Sequence, residues 1–336
     1  MRLRHALLAS AAGALAACRA PMNFMAPAGP AARRLSELGW SALILFSIVI
    51  VVMWLLVLAV AMRRRGTLAE HDLSEAPGGR QWIFIGGFAV PALILSALFI
   101  AMLHSLRAFP MENVKCEVPT IRVLGHQWWF ETQYETPGQP ALNVSVPTEI
   151  HIPVGQPVNL ELATADVIHS FWIPKLHGKV DLVPGEKNHL RILADAPGVY
   201  QGQCAEYCGL HHANMRMQVV AQAPADFTAW LARQRADAAL PADAIARRGR
   251  EVFETQACAV CHRVRGTPAQ GTVGPDLTHV ASRATIAGGA FPNDTAHLEA
   301  WVTQAQSLKP GAQMPNLAVF EGADLRALVA YLQQLQ

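Results

Sequence analysis

The feature that most constrains the fold is a pair of long uncharged segments near the start of the chain. Residues 39–62 and residues 81–103 contain no Asp, Glu, Lys or Arg. Both are longer than the roughly 20 residues that cross the hydrocarbon core of a bilayer. Trp40 and Trp82 lie near the segment ends, where aromatic side chains favour the membrane–water interface. We therefore predict a transmembrane hairpin of two helices over residues 39–104.

The charges between the two segments predict the orientation of the hairpin. Arg63, Arg64, Arg65 and Arg80 lie in or beside the connecting loop, and short basic loops stay in the cytoplasm. The chain before and after the hairpin would then lie outside. A composition of 52% hydrophobic and 15% charged residues agrees with a membrane protein. The net charge of +2 offers no basic face for nucleic acid.

The first 18 residues are typical of a secretion signal. Arg2 and Arg4 precede an apolar run, residues 6–17, that is too short to span a membrane. The run ends in Leu15-Ala16-Ala17-Cys18, which resembles the processing motif of bacterial lipoproteins and predicts that Cys18 is lipidated. An ordinary cysteine beside a cleavage site is the alternative. Residues 19–38 are predicted to be an extracytoplasmic tether.

Residues 105–223 have the sequence pattern of a β domain. Short runs of β-forming residues, broken by Gly and Pro, predict an all-β sandwich or barrel. The predicted strands are Thr120–Val123, Ala141–Val146, Glu149–Ile152, Pro157–Leu162, Asn188–Leu193 and Met217–Ala221. Cys116 has no neighbour at metal-ligand spacing, so we expect a buried free thiol there.

One stretch of this domain, Cys204–Met215, concentrates metal-binding side chains: two thiols, two imidazoles and one thioether. Thiolate and imidazole with a weak thioether ligand suit copper that transfers electrons. Cys204 and Cys208 could both bridge a pair of coppers, which a single cysteine cannot do. His212 and Met215 follow in the same loop, and His169 is the expected upstream ligand.

Two alternatives compete with this interpretation. Cys204 and Cys208 could form a disulfide, in which case the His and Met residues would be incidental. His211 could replace His212 as the ligand, although the spacing from Cys208 favours His212. We therefore expect His211 at the rim of the site.

The pattern Cys-x-Glu-x-Cys-Gly-x-x-His-x-x-Met, with an upstream His-Ser-Phe, resembles the dinuclear CuA site of cytochrome c oxidase subunit II. The resemblance implies a cupredoxin-like Greek-key domain and a carboxylate, that of Glu206, which reaches a Mg²⁺ or Mn²⁺ shared with the catalytic subunit. It also implies the copper ligands, which are the bridging Cys204 and Cys208, His169 with Met215 on one copper, and His212 with the backbone carbonyl of Glu206 on the other.

Other positions can be compared with the same family. Gly125–Phe130 resembles its G-H-Q-W-x-W segment, so the resemblance implies that electrons enter the copper domain at Trp128. Aromatic residues on a strand are more often core, and Phe130 replaces the family's second Trp, so no such role passes to it. Asp181 matches a turn near the subunit interface. Phe84 stands where the family often has a Glu linked to proton uptake, which leaves that role of this subunit open.

A second redox motif follows in the C-terminal part of the chain. Cys258-Ala259-Val260-Cys261-His262 is the C-x-x-C-H of covalent haem c attachment, in which the thiols bond the haem and His262 binds the iron. A redox dithiol or half a zinc site would use the same cysteines but would not need the adjacent His. A sixth ligand is expected well downstream in a loop, where Met314 supplies it, and a thioether at that position raises the haem potential. His279 and His297 are the alternatives.

These motifs complete the predicted organisation, which is a multidomain membrane protein. Residues 224–243 are predicted to form a helix and a linker, and residues 244–336 an all-α domain. Gly274-Pro275-Asp276-Leu277 and a closing helix over residues 321–335 resemble class I cytochrome c. The hairpin would thus carry an all-β copper domain and an all-α haem domain.

The resemblance implies subunit II of a haem–copper cytochrome c oxidase with its own haem c. Electrons would pass from haem c by Trp128 to CuA, and then to subunit I for reduction of O₂ to water coupled to proton translocation. The other implied partners are subunit III and a donor, either cytochrome c or a bc1-type complex. The implied location is the bacterial inner membrane, with both redox domains on the periplasmic side. A CuA-containing nitric oxide reductase subunit is the alternative, and a membrane-anchored copper-binding or delivery protein is a weaker one.

Overall fold

The structure is a computed structural model that describes residues 20–63, 79–106, 120–135, 138–139, 143–317 and 322–336. The predicted signal with Cys18, the arginines 64 and 65, and Cys116 lie outside the described residues. The chain divides into two compact units. One contains the apolar helices, and the other contains the β domain and the C-terminal helical domain.

Two helices are long and apolar enough to cross a membrane by length and composition. The first, α1 (Pro30–Met62), begins before the predicted start at Gly39, because proline suits the first turn of a helix. The second runs through α2 (Gly79–Phe84), a π-helical turn (Ile85–Ala89) and α3 (Val90–Leu106). The π turn directly precedes Pro91, whose missing N–H interrupts the regular hydrogen-bond ladder. The irregular turn contains the pair Gly86-Gly87 and ends two residues before Pro91.

The strands of the β domain are β1 (Thr120–His126), β2 (Trp129–Tyr134), β3 (Val144–Pro147), β4 (Glu149–Pro153), β5 (Val158–Thr164), β6 (His169–Phe171), β7 (Val180–Leu182), β8 (Asn188–Ile192), β9 (Gly198–Gln203) and β10 (Arg216–Gln222). They have a cupredoxin-like arrangement of two main sheets, with strand orders β3-β2-β1-β5-β8 and β4-β10-β9. Strands β1 and β5 are parallel neighbours, as are β4 and β10.

The core of this domain lies between the two sheets, because alternate apolar residues of each strand face inward. Ile121 and Val123 of β1, Leu160 and Leu162 of β5, and Ile152 of β4 are all buried. Each of the six predicted strands coincides with an observed one. Strands β2, β6, β7 and β9 were not predicted.

The C-terminal helical part begins with α4 (Pro224–Arg235), which matches the predicted helix. It continues with α5 (Ala244–Thr255), the short α6 (Cys258–Cys261), α7 (Thr295–Leu308) and α8 (Gly322–Leu332). A small pair, β11 (Thr285–Ile286) and β12 (Phe291–Pro292), lies between α6 and α7. The closing helix is the predicted one, although Glu321 itself lies outside the described residues.

Helices α5 and α8 cross at very short range, and Gly249 permits this approach. A Cβ atom at Gly249 would lie 1.9 Å from the Ala327 carbonyl oxygen. Phe253 of α5 and Tyr331 of α8 add an edge-to-face ring contact at 5.8 Å. Asp243 caps α5 by accepting a hydrogen bond from the Ala246 N–H at 2.8 Å.

We expect Gly249→Ala to destabilise the helical domain by about 1–3 kcal/mol, because the added methyl group must push α8 away. The measurement is the midpoint of thermal unfolding of the full chain. Gly79→Ala is the matched control, because a Cβ there meets nothing within 4 Å. An unchanged midpoint for Gly249→Ala would contradict the close crossing.

Candidate functional site

The loop between β9 and β10 holds most of the predicted copper ligands. The antiparallel pairing of the two strands ends with Gln203 opposite Arg216, so Cys204 and Met215 are the first residues of the loop from either side. The Cys204 N–H donates to the Met215 carbonyl at 2.9 Å and closes it. The Ala205 N–H donates to the Ser170 carbonyl at 3.1 Å, which holds β6 against the loop. A hairpin connection and a neighbouring strand thereby place the site.

The structure brings five of the predicted side chains together. Cys204 Sγ lies 3.8 Å from Cys208 Sγ and 3.9 Å from His169 Nδ1. Cys208 Sγ lies 3.7 Å from His212 Nδ1 and 3.8 Å from Met215 Sδ. The donor atoms of His169, Cys204 and Cys208 are all within 4.8 Å of one another. This set of thiol, imidazole and thioether groups fits copper ions well.

The geometry does not support a disulfide between the two cysteines. Their sulfur atoms are 3.8 Å apart, far beyond the about 2.0 Å of an S–S bond, and both thiols are free. His211 is also directed elsewhere, since its Nε2 donates to the Pro310 carbonyl at 2.9 Å. It is buried against the helical domain rather than at an exposed rim.

Glu206 lies beside the thiol pair through its backbone. Its carbonyl oxygen is 3.2 Å from Cys204 Sγ. Its carboxylate accepts a hydrogen bond from the Tyr207 N–H at 3.3 Å. The carbonyl, rather than the carboxylate, is thus the group of Glu206 that faces the cluster.

The two thiols have different proton affinities. The hydrogen bond shared with the Cys208 side chain lowers the pKa of Cys204 far below its ordinary value. The same contact, together with burial, raises the pKa of Cys208. One thiolate therefore forms readily, and binding of a cation to both sulfurs would release the second proton.

Asp166 orients His169 and was missed by the sequence interpretation. His169 Nε2 donates to Asp166 Oδ1 at 2.8 Å, which leaves Nδ1 directed at Cys204. Burial alone would lower the pKa of His169, but hydrogen bonds with Cys204 and Asp166 raise it overall. A carboxylate bonded to the far nitrogen of a ligating imidazole fixes its tautomer and orientation. The available signal was an acidic residue three positions before the histidine.

Trp128 is hydrogen-bonded directly to the thiol loop. Its indole Nε1 donates to the Cys208 carbonyl at 2.9 Å, and Gln127 Nε2 donates to the same oxygen at 2.7 Å. The side chain is buried, with 7% of its surface exposed. Phe130 is also buried, and its ring lies edge-on to that of His169 at 6.2 Å.

The helical domain contains a cavity that brings together the second set of predicted residues. Cys258, Cys261, His262 and Met314 all line it. Its walls include the apolar residues Phe253, Leu298, Val302, Leu328 and Leu332. Trp128 and Trp129 of the β domain line the same cavity.

The local contacts of His262 prepare it for binding a metal through Nε2. Its Nδ1 donates to the Pro275 carbonyl at 2.8 Å. Burial lowers the pKa of His262, which favours the neutral imidazole that binds metals. Gly274 is required beside the ring, because a Cβ there would lie 2.5 Å from His262 Cε1.

Neither rival histidine lines this cavity in the described part of the chain. His279 Nδ1 donates to the Gln336 carbonyl at 2.6 Å, and His297 pairs with Asp294 at 2.8 Å. Arg283 does line it, and its buried Nε atom has no hydrogen-bond partner. The cavity therefore fits a haem, with an apolar wall, two thiols, an imidazole, a thioether and a buried cation suited to an anionic haem carboxylate.

The fold and these two sites define a class, namely redox proteins with a copper-binding β domain, a c-type haem domain and an apolar helical hairpin. Residues 136–223 match the family described as cytochrome c oxidase subunit II, periplasmic domain, and residues 246–336 match cytochrome c. The two matches imply CuA copper and haem c respectively.

A relative that matches nearly the whole chain shows the family. Cytochrome c oxidase subunit 2 of Alkalihalophilus pseudofirmus is 36% identical, covering 96% of this chain and 94% of that protein. Cytochrome c oxidase subunit 2 of Bacillus sp. PS3 is 29% identical, covering 82% and 79%. The solved periplasmic domain of subunit II of Bradyrhizobium japonicum cytochrome oxidase is 26% identical with a TM-score of 0.33, covering 35% and 93%. The chain belongs to the cytochrome c oxidase subunit II family, which confirms the predicted family and fold class.

We expect Asp166→Ala to weaken copper binding by roughly 10–100-fold, because His169 would lose the contact that directs Nδ1 toward the thiols. Competition with a copper chelator measures the affinity of the full chain. Asp226→Ala, an exposed change in the first turn of α4, should leave it unchanged. Wild-type affinity in Asp166→Ala would show that Asp166 does not orient the ligand.

Proposed function

We propose that this chain relays electrons within a cytochrome c oxidase, from its cytochrome c domain to its copper domain and then to subunit I, which reduces O₂ to water. One observation carries the proposal. Trp128 lines the cavity of Cys258, Cys261, His262 and Met314, and its indole donates to the Cys208 carbonyl. A single side chain therefore touches the surroundings of both sites, and we assign it the role of passing electrons into the copper domain.

The proposed copper ligands follow from the donor atoms around the thiol pair. When bound, the copper pair accepts and releases one electron at a time. Cys204 and Cys208 would both hold it through their sulfur atoms, and their short separation from His169, His212 and Met215 supports those three as further ligands. The proximity of the Glu206 carbonyl to Cys204 supports that oxygen as the last ligand. The Glu206 carboxylate remains the proposed Mg²⁺ or Mn²⁺ ligand.

The proposed haem attachment uses the residues that share the cavity. Cys258 and Cys261 would hold the haem covalently, and His262 through Nε2 and Met314 through its thioether would bind the iron. Since neither His279 nor His297 lines the cavity, its lining supports Met314 as the sixth ligand.

The two redox domains are joined in one chain, which makes their encounter intramolecular. We propose that an external donor, cytochrome c or a bc1-type complex, reduces the haem domain. The apolar hairpin would anchor the chain beside subunits I and III in the bacterial inner membrane, with both redox domains on the periplasmic side. The named relatives favour this oxidase over a nitric oxide reductase.

The predicted domain limits, the secretion signal at residues 1–18 and the lipidation of Cys18 also remain proposals.

The relay is tested with Cys208→Ser in the assembled oxidase. Serine keeps the size of the side chain but removes a soft bridging ligand, so a copper pair can no longer be shared by two thiolates. We expect loss of the delocalised copper resonance and of nearly all O₂ consumption, while an external donor still reduces the haem. Cys116→Ser, a cysteine change outside both motifs, is the control. Full turnover with the delocalised signal retained in Cys208→Ser would refute the relay.

A separate prediction concerns the haem ligand. Met314→Ala should leave the haem attached, because Cys258 and Cys261 hold it covalently. Loss of the thioether should lower the reduction potential and open the iron to added ligands. The measurement is the absorption band of methionine-bound oxidised haem. If this band persists in the variant, another residue binds the iron.

A further inference from the structure

The helical domain contacts the copper domain through two loops that meet at one backbone oxygen. The first loop begins at Lys309 and continues to Met314, and the second spans residues 284–289. Lys309 Nζ donates to the Trp128 carbonyl at 2.8 Å. A Cβ at Gly288 would lie 2.3 Å from the same oxygen. Both loops are therefore fitted to the backbone of the residue that lies between the two redox sites.

Lys309 is an unusual residue to find at such a place, because its charge is buried. Only 3% of its surface is exposed, and no carboxylate of the described residues forms an ion pair with it. Removing an ammonium group from water is costly unless hydrogen bonds replace its hydration, and burial lowers the pKa of Lys309 to about 8. Its two acceptors are the Trp128 carbonyl and, at 2.8 Å, the Ala287 carbonyl. The ammonium thus joins one oxygen of the copper domain to one of the haem domain.

Further hydrogen bonds surround this contact. His211 Nε2 donates to the Pro310 carbonyl at 2.9 Å, and the Arg216 N–H donates to the Gly288 carbonyl at 2.9 Å. The Ala284 N–H donates to Glu149 Oε1 at 2.8 Å. Each bond joins the copper domain to the haem domain. Directional bonds of this kind specify one relative position of two domains, which apolar contact alone does not.

Trp128 is consequently held from two sides. Its indole is bonded to the Cys208 carbonyl in the copper loop, and its own carbonyl is bonded to Lys309. Lys309 lies in the same loop as Met314, five positions before it. A shift of this loop would therefore move Trp128 relative to the haem cavity.

We infer that Lys309 is a positioning residue, which locks the haem domain onto the copper domain and fixes Trp128 between the two redox sites. This inference rests on the proposed relay. The simpler alternative is that Lys309 only stabilises its own domain by closing the loop through Ala287. The two explanations make different predictions for a variant without the ammonium group. A positioning role predicts that the contact between the domains loosens, whereas a role in loop closure alone predicts that it does not.

The test is Lys309→Met in the full chain assembled with its oxidase. Methionine keeps the length and apolar stem of lysine but leaves the Trp128 carbonyl buried without a donor. We expect about tenfold faster hydrogen exchange at the Arg216 and Ala284 amides and about tenfold slower electron transfer from the haem domain to the copper domain. The absorption band of the methionine-bound haem should not change. Lys187→Met removes an exposed lysine that pairs with Glu161, and should alter none of these quantities.

The outcomes separate the inference from the function on which it rests. If the wild-type chain does not pass electrons from its haem domain to its copper domain, the relay is refuted. Suppose instead that the wild-type chain passes these electrons, and that Lys309→Met has wild-type rates of amide exchange and electron transfer. The positioning role of Lys309 is then refuted, and the relay stands. If Lys309→Met fails to hold its haem, Gly288→Ala replaces it as the test variant. The added methyl group crowds the Trp128 carbonyl from the loop of residues 284–289, which contains no proposed haem ligand. Faster amide exchange in Gly288→Ala supports the lock, and wild-type exchange overturns it.

Discussion

The arrangement of the copper loop depends on hydrogen bonds donated by two adjacent residues, Gln127 and Trp128. Both side chains donate to the Cys208 carbonyl. The Gln127 N–H donates at 2.7 Å to Asp166, the residue that orients His169. The turn between β1 and β2 therefore supports the thiol loop and the separate histidine strand at once. The direct bond from the Ala205 N–H to the Ser170 carbonyl joins the same two parts, and the turn reinforces that connection from a third segment.

Burial explains why this support matters for electron transfer. Cys204, Cys208, Met215 and His169 are all almost completely removed from solvent. A dry and hydrogen-bonded surrounding controls solvent access to a metal and with it the reduction potential. The haem cavity follows the same principle, since apolar side chains form its wall and the Pro275 carbonyl fixes His262.

Sequence reasoning predicted those parts that local spacing determines. The thiol loop, the C-x-x-C-H motif and the apolar hairpin each lie within one short segment, and six strands showed clear β-forming runs. Strand β9 contains two glycines and β6 only three residues, so neither has a propensity signal. Asp166 and Lys309 escaped notice for another reason. Their roles depend on partners that the fold, and not the local sequence, brings near.

Strand β4 shows what the fusion of the two domains has done to a surface. Ile150 and Ile152 point into the core, whereas Glu149 and His151 alternate with them on the other face. Such polar residues ordinarily face water on an antiparallel or mixed sheet. Here Trp230 stacks on His151 at 3.9 Å, and the Ala284 amide binds Glu149. The polar face of β4 is thus covered within the same chain, and the Glu149 carboxylate that would otherwise bind water instead forms a hydrogen bond to the haem domain.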